Sequence, residues 1–425
     1  MNSNSLKYRI KMPTLKKFFS VILFLLWISL ILVMLRNTDK ISFTLLICIL
    51  LVSLYIIFRD TYSVKINNLQ KWWLIFIGYG FIITLFNSLM DTVPTQSGVF
   101  LIKQGLIIYI LTIVCTLLYV TLCDRLIFLK LVRNFISITS LLGIYEIVTK
   151  KQPYINIITS QDAIKSFQDM GSVNAYFYRL TLFFYHPIFY GVLLNIAIII
   201  LLYLPFKSKI FQYMFLITIV LNLIFTQSRS SWVALLFIVM FFVVKELKQN
   251  KQQALKKILI AVFIIAIISV VIINVVPELR DQIVDLLQDR LFGNQNDVGG
   301  ARMFNWSLLQ YPNAMWIRII GGGNGYAISL LHAHPTLNGW EDAIDNQYLT
   351  FLLNYGIVGI MLFGVIIVKT IKLLFNSKNK LNKIILLSLL NIIISGIFYE
   401  YYVQGQILFL NFILMSMLKD ENAEK

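Results

Sequence analysis

Two groups of polar residues stand out from an otherwise apolar chain because of the chemistry they could perform together. The first is a set of arginines, Arg179, Arg229, Arg302 and Arg318. A guanidinium keeps its charge at physiological pH and grips a diphosphate through parallel N–H donors, which an ammonium cannot. Arg229 lies in Thr226-Gln227-Ser228-Arg229-Ser230-Ser231, flanked by hydroxyls; its alternative role is that of an interfacial anchor reaching for water. The second group is a short polar stretch with His332, His334, Glu341, Asp342 and Asp345. Asp345 could act as a general base on a hydroxyl or orient it, with His334, Glu341 and His332 as substitutes. Because an apolar run follows Asp345, a helix N-cap is its other reading. Between the groups lies Gly321-Gly322-Gly323-Asn324-Gly325, which suits either a tight turn or a phosphate contact through backbone N–H groups at Gly323 and Gly325. It lacks the lysine and the strand–turn–helix setting of a P-loop.

The elements that must position these residues are membrane helices. The chain has 425 residues, 58% hydrophobic and 13% charged, with a mean hydropathy of +0.78. A soluble domain is about half apolar and a quarter charged, so a cytosolic globular enzyme, a disordered protein and a disulfide scaffold are excluded. Twelve apolar stretches approach the roughly 20 residues of a spanning helix: about 18–35, 41–58, 72–90, 101–122, 126–148, 178–204, 210–226, 231–244, 258–276, 347–368, 384–398 and 403–418. They are continuous rather than alternating, so the expected class is all-α and not an outer-membrane barrel. The first stretch has no small-residue cleavage site after it and reads as a retained helix.

Charge sets the expected orientation. With both termini on one side, that side carries 25 of the 37 Lys and Arg and 6 of the 20 Asp and Glu, a net +19, while the other side has a net −2. The basic side is expected to be cytoplasmic. The formal charge of +17 therefore reports topology and contact with anionic lipid, and nucleic acid is not an expected partner. Cys48, Cys115 and Cys123 have no ligand spacing, so neither a disulfide frame nor a metal site is expected.

The layout has three parts: 1–276 with nine spans and an external loop at about 149–178, a large external loop over 277–346, and 347–425 with three spans and a tail. In the large loop, Leu279, Ile283, Leu286, Leu287 and Leu291 predict an amphipathic surface helix. A second short helix is expected over Ala301–Gln310, ending near Pro312. Glu146 and Glu400 fall near outer span ends, and Tyr399-Glu400-Tyr401-Tyr402 reads as an aromatic belt with a structural role. His186, beside Pro187, reads as a helix-start residue.

Three patches, taken in order, resemble the Wzy-type O-antigen and capsular polysaccharide polymerases and their relatives, the O-antigen ligases. They are Arg179 with Tyr185-His186-Pro187 and Gly191; Ser228-Arg229-Ser230; and, through the large loop, Ala301-Arg302 with Trp306, the glycine turn, Asp345-Asn346-Gln347-Tyr348-Leu349 and Tyr355-Gly356-Ile357-Val358-Gly359. The resemblance implies a C-type glycosyltransferase architecture in the bacterial plasma membrane that works on the outer face and needs no cofactor. It implies a growing glycan on undecaprenyl diphosphate as donor and the next lipid-linked repeat unit as acceptor, with a flippase and a chain-length regulator as associated proteins. On this reading Arg229 and Arg302 hold the donor diphosphate, with Arg179 or Arg318 as a third cation, and Asn346 and Tyr348 contact substrate. Ligases typically carry a histidine where this chain has Asp345, which points to a polymerase. The alternatives are a ligase and, from another class, a transporter for the same lipid-linked unit; the concentration of candidate residues outside the spans, with no internal repeat, favours the enzyme.

Overall fold

An apolar segment that leaves water must satisfy its own backbone donors and acceptors, and a helix does so within one stretch of chain. The computed structural model of the chain describes residues 12–33, 40–58, 66–90, 106–149, 151–152, 179–184, 186–249, 305–312, 314–334, 344–403 and 405–419. Every regular element among them is helical. Eight helices precede the large loop: α1 (Met12–Val33), α2 (Lys40–Phe58), α3 (Asn68–Met90), α4 (Leu106–Val120), α5 (Arg125–Thr149), α6 (Pro187–Tyr203), α7 (Lys209–Phe225) and α8 (Arg229–Gln249). Two short ones lie within the loop, α9 (Met315–Ile320) and α10 (Tyr326–Ala333), and three follow it: α11 (Gln347–Asn376), α12 (Lys380–Ser395) and α13 (Gly405–Ser416). Eleven of the twelve apolar stretches thus carry a helix. The stretch 258–276 and the amphipathic segment Leu279–Leu291 lie outside the described residues. Four helices, α1, α3, α5 and α11, are long and apolar enough to cross a membrane, and six others are shorter apolar helices. The described residues form helices only, as in a polytopic membrane protein.

Polar contacts at the helix ends sort the bundle into two faces. At one end, Arg125 donates to Asn382 Oδ1 at 2.9 Å, Asn382 Nδ2 donates to the Lys419 carbonyl at 2.9 Å, and Asn67 Nδ2 donates to the Met415 carbonyl at 3.0 Å. Arg133 donates to the Leu204 carbonyl at 2.6 Å and lies 3.9 Å over the Phe206 ring. These bonds join the starts of α3, α5 and α12 to the ends of α6 and α13. The starts of α6, α8, α11 and α13 therefore share the opposite end. Helix α6 runs through the middle, with 15 consecutive residues, Pro187–Leu201, buried on every side.

Close crossings rely on small residues, as helix pairs without a hydrophobic driving force require. A Cβ on Gly143 of α5 would collide with Asn222 of α7, and one on Gly191 of α6 would collide with Ser231 of α8. Asn222 fills its place with bonds to the Ser140 carbonyl at 2.9 Å and from the Tyr190 hydroxyl at 2.8 Å.

The large loop folds onto α3 and α11. The helix expected over Ala301–Gln310 is instead a 3₁₀ turn over Trp306–Gln310, with 301–304 outside the described residues. Helices α9 and α10 were not legible in the sequence, because six and eight residues are too short to show a period. Leu308, Ile317, Tyr326, Leu331, Ile344 and Leu353 form a small core of their own. The glycine turn then locks the loop to α11, backbone against backbone. Gly321 (φ 94°) and Gly356 (φ 64°) both sit in the left-handed region. A Cβ on Gly321 would collide with the Asn354 carbonyl and the Tyr355 backbone, and one on Gly356 with the Ile319 carbonyl. Gly322 N–H donates to the Leu353 carbonyl at 3.1 Å and Gly323 N–H to the Asn354 carbonyl at 2.8 Å. Asn324 N–H donates to Thr84 Oγ1 at 2.8 Å, and Tyr79 OH to the Ile320 carbonyl at 2.8 Å. Gly356 accordingly breaks α11, whose helical dihedrals fail at that residue.

A methyl group at Gly321 must fight both a left-handed backbone and main-chain atoms that cannot step aside. Gly321→Ala is expected to lose more than about 2 kcal/mol, read as a lower Tm in detergent and a smaller monodisperse fraction. Gly364→Ala is the control, because nothing lies within 4 Å of its Cβ position; it should be neutral or slightly stabilising.

Candidate active site at one end of the helix bundle

The turn between α7 and α8 carries Arg229. Gln227 there is left-handed (φ 52°), which reverses the chain within a few residues. Ser228 heads α8: its carbonyl accepts from Trp232 N–H at 3.1 Å and its Oγ from Ser231 N–H at 3.4 Å. The Ser228 hydroxyl also lies 2.9 Å from those of Ser230 and Ser231. Arg229 therefore occupies the first turn of a 21-residue helix that has no acidic residue there. The positive end of a helix disfavours a cation and favours an anion, so Arg229 and the helix start attract the same kind of ligand. Arg179 is brought to this turn across 47 residues of sequence: its Nε donates to the Thr226 carbonyl at 3.1 Å, and Leu180 N–H donates to the Phe225 carbonyl at 2.9 Å. His186 caps α6, accepting Ile188 N–H on Nδ1 at 3.2 Å, and its ring stacks on Tyr399 at 4.9 Å. The helix-start reading of His186 holds.

The second half of the site precedes α11. Asn346, not Asp345, is the N-cap of that helix; its Oδ1 accepts from Tyr348 N–H at 3.0 Å and Leu349 N–H at 3.1 Å. The capping reading of Asp345 is thus corrected by one residue, because the side chain at the last non-helical position is the one that reaches the open N–H groups. The same bonds make Asn346 a structural residue, and Tyr348 likewise donates its hydroxyl to the Ile393 carbonyl at 3.0 Å. Asp345 itself is left-handed (φ 55°) and only 6% exposed. A non-glycine residue held this way costs on the order of 1–3 kcal/mol, and such positions gather at functional sites. Among the described residues three have positive φ without being glycine, Leu182, Gln227 and Asp345. They flank Arg179, Arg229 and the start of α11.

The segment joining α12 to α13 links the two halves. Tyr401 OH lies 3.4 Å from Ser230 Oγ in the α8 turn. Tyr402 N–H donates to Gln347 Oε1 at 2.9 Å, while Gln347 Nε2 is buried with no hydrogen-bond partner among the described residues. Between them Glu400 accepts from Ile344 N–H and from the Thr350 hydroxyl, and faces Asp345. Burial first, and the Asp345 charge in addition, push the Glu400 carboxyl up to about 7. Tyr399–Tyr402 is therefore not a lipid-facing belt: Tyr401, Tyr402 and Glu400 are all buried. The signal for Glu400 was present, since an ionisable residue in a chain this apolar is a functional candidate by default. Its partners, 50 residues or more away, were not visible in the sequence.

The loop residues divide. Asn305 Nδ2 donates to the Ile344 carbonyl at 2.9 Å, which anchors the segment next to Arg302 beside Asp345; Arg302 and Glu341 themselves lie outside the described residues. His334 ends α10 and stacks face to face on Tyr311 at 3.6 Å. Arg318 is exposed at the last turn of α9, its Nε donating to the Pro312 carbonyl at 3.2 Å. The phosphate reading of the glycine turn is corrected for Gly323, whose N–H is engaged by Asn354, and Gly325 serves as the left-handed cap of α10. The turn also meets α11 at Leu353–Gly356, about 12 Å along the helix from Asp345 at 1.5 Å per residue.

Residues 213–364 match the family model described as O-antigen ligase, a segment that runs from α7 through the large loop and past the Gly356 break. No curated protein matches the chain. The match supports a role for this membrane protein as an enzyme of surface-glycan assembly. It contains Arg229, Arg302 and Asp345, and over this segment the chain is similar to the O-antigen ligase family.

Proposed function

We propose that the protein polymerises lipid-diphosphate-linked oligosaccharide repeat units into a surface polysaccharide at the outer face of the plasma membrane. The observation that carries this reading is the joining of the Arg179–Arg229 turn to Asp345, through Tyr401 and Glu400, at one end of the bundle. That end is the less basic one, the outer side by charge. The three parts of the sequence layout and its twelve spans suit a C-type glycosyltransferase, and an undecaprenyl chain would occupy the membrane beside them.

The donor is a glycan on a lipid diphosphate. Arg229, the start of α8 and Arg302 hold the diphosphate, with Arg179 alongside; Asn305, three residues after Arg302 in sequence, is tied to Ile344. The acceptor hydroxyl oxygen attacks the anomeric carbon of the donor, the bond from that carbon to the diphosphate oxygen breaks, and the electron pair leaves with the lipid diphosphate. The arginines stabilise the charge that develops there. The hydroxyl proton passes to the Asp345 carboxylate, and the buried Gln347 amide, which lacks a partner among the described residues, is the donor proposed for an acceptor oxygen. Aspartate rather than histidine at 345 favours repeat-unit polymerisation over ligation. A ligase would use the same donor with another acceptor.

The test incubates purified protein with its lipid-diphosphate-linked repeat unit, without nucleotide or added metal, and resolves the saccharides on a gel. A ladder spaced by one repeat is expected. Product only after a lipid core or cell-wall acceptor is added would make the protein a ligase, and no product with any acceptor would restore the transporter reading.

Two substitutions locate the chemistry in that assay. Arg302→Ala should slow the ladder by about 10²–10³-fold, and Arg302→Lys should recover only a minor part, since the charge returns without the fork; full activity in the lysine variant would remove bidentate recognition. Asp345→Asn keeps a residue type that tolerates the left-handed backbone and should leave Tm close to the wild-type value. Its rate should fall by about 10²–10⁴-fold, and an undiminished rate would exclude Asp345 as the base.

A further inference from the structure

The glycine turn sits at a depth that a surface loop does not need. Residues 72–90 of α3 carry no charge and, at 1.5 Å per residue, cover about 28 Å, close to the hydrocarbon thickness of a bilayer. The turn meets α3 well inside this stretch. Tyr79 holds the Ile320 carbonyl, Thr84 accepts Asn324 N–H, and Asn87 Nδ2 donates to the Gly321 carbonyl at 3.2 Å. Those three residues lie about 5–17 Å short of Met90, where α3 ends on the same side of the bundle as the start of α11. Helix α11 gives the same depth independently. Gly356 is about 14 Å along the helix from Gln347 and about 20 Å from Lys369, and no charged residue lies between Asp345 and Lys369. The chain comes back to the level it left. Asn305, before α9, is tied to Ile344 ahead of α11, and the Tyr311 ring before α9 stacks on His334, which ends α10.

We propose that α9, the glycine turn and α10 form a re-entrant hairpin, which dips into the outer leaflet with the turn innermost and presents Met315 and Ile319 of α9 to lipid acyl chains. Irregular backbone persists at membrane depth only where protein supplies its partners, and here protein does. The four N–H groups from Gly321 to Asn324 are all bonded, to the carbonyls of Ile317, Leu353 and Asn354 and to the Thr84 hydroxyl. Two side chains of α11 reach in as well: Asn354 Oδ1 accepts Ala327 N–H at 2.8 Å, and Tyr355 OH donates to Asn324 Oδ1 at 3.0 Å. Lipid is the occupant because the exposed face continues that of a spanning helix. Ile75, Ile82, Phe86 and Leu89 form an exposed apolar stripe along α3, and Phe86 meets the Trp316 ring edge-on at 6.0 Å. Beside Trp316, Met315 is 72% and Ile319 43% exposed. Arg318 is the one charged residue from 311 to 331; its Nε turns back to the Pro312 carbonyl before α9, as a cation reaching out of hydrocarbon does. The inference uses the orientation set by charge and is independent of the reaction proposed above.

The test uses the full-length protein in nanodiscs of phosphatidylcholine and phosphatidylglycerol. In a background of Cys48→Ala, Cys115→Ala and Cys123→Ala, a nitroxide is attached at Met315→Cys or Ile319→Cys. Its collisions with oxygen, which concentrates in hydrocarbon, are compared with those of a nickel chelate, which stays in water. Labels at Ile82→Cys, on the exposed stripe of α3, and at Lys378→Cys, exposed between α11 and α12, are the lipid and water standards. Both α9 labels should give an oxygen-to-nickel ratio severalfold above the Lys378 standard and close to the Ile82 standard. A ratio at the water standard overturns the proposal, because the loop then stands in solvent. Low collision with both reagents, or spin–spin broadening between copies, also overturns it, because protein then covers the face. The unsubstituted chain supplies a second measurement that no folding defect can spoil. A phospholipid with a diazirine in mid-chain, irradiated in the same nanodiscs, should leave adducts on residues 314–320 as it does on α3; adducts on α3 with none on 314–320 would reject the hairpin.

Discussion

A carboxyl group taken out of water must find compensating charge, find hydrogen bonds, or keep its proton. Glu400 meets this constraint with the Ile344 N–H and the Thr350 hydroxyl, and much of the site follows from that choice. The segment that carries Glu400 also carries Tyr401, which reaches the serines beside Arg229, and Tyr402, whose N–H holds Gln347. Through Tyr401 on one side and Glu400 and Tyr402 on the other, the α12–α13 connection meets both the α8 turn and the start of α11. The arginine half and the aspartate half of the site are neighbours because this connection has polar groups to satisfy on both sides.

A second constraint works at the level of the backbone. The loop between α8 and α11 has a small apolar core, and it is fixed in depth by the meeting of Gly321 with Gly356. Main chains approach this closely only where neither residue has a Cβ and both accept positive φ. The N–H groups of Gly322 and Gly323 are drawn into bonds with α11, so this turn supplies registration. The family match ends at residue 364, soon after the break in α11. Arg179 and Glu400 lie on either side of the matched segment and are folded into its site.

Several side chains took a role other than the one their type suggested. Asp345 looked like the cap of α11, but Asn346 caps it, and Asp345 is left buried in a strained conformation. The aromatic cluster at 399–402 looked like an interfacial belt, since tyrosines beside an apolar run usually are one; here they are buried as a connector. Arg318 looked like a third cation for the diphosphate, yet it closes a local loop by donating to the Pro312 carbonyl.

The sequence by itself determined that the chain is all-helical, where eleven of its helices lie, and that arginines and acids gather outside the apolar runs. Those features are local: hydropathy over about 20 residues and the backbone's need for internal hydrogen bonds decide them without reference to the rest of the chain. The patches around Arg229 and Asp345 were legible for the same reason, as short runs of unusual composition. Which residues meet was decided only by tertiary structure. Arg179 and Thr226 are 47 positions apart and Thr350 and Glu400 are 50 apart, and no periodicity encodes such a pairing. The left-handed turns at Leu182, Gln227 and Asp345 and the elevated carboxyl of Glu400 belong to the same class. Each is a property of what surrounds a residue, and the surroundings exist only once the helices have packed.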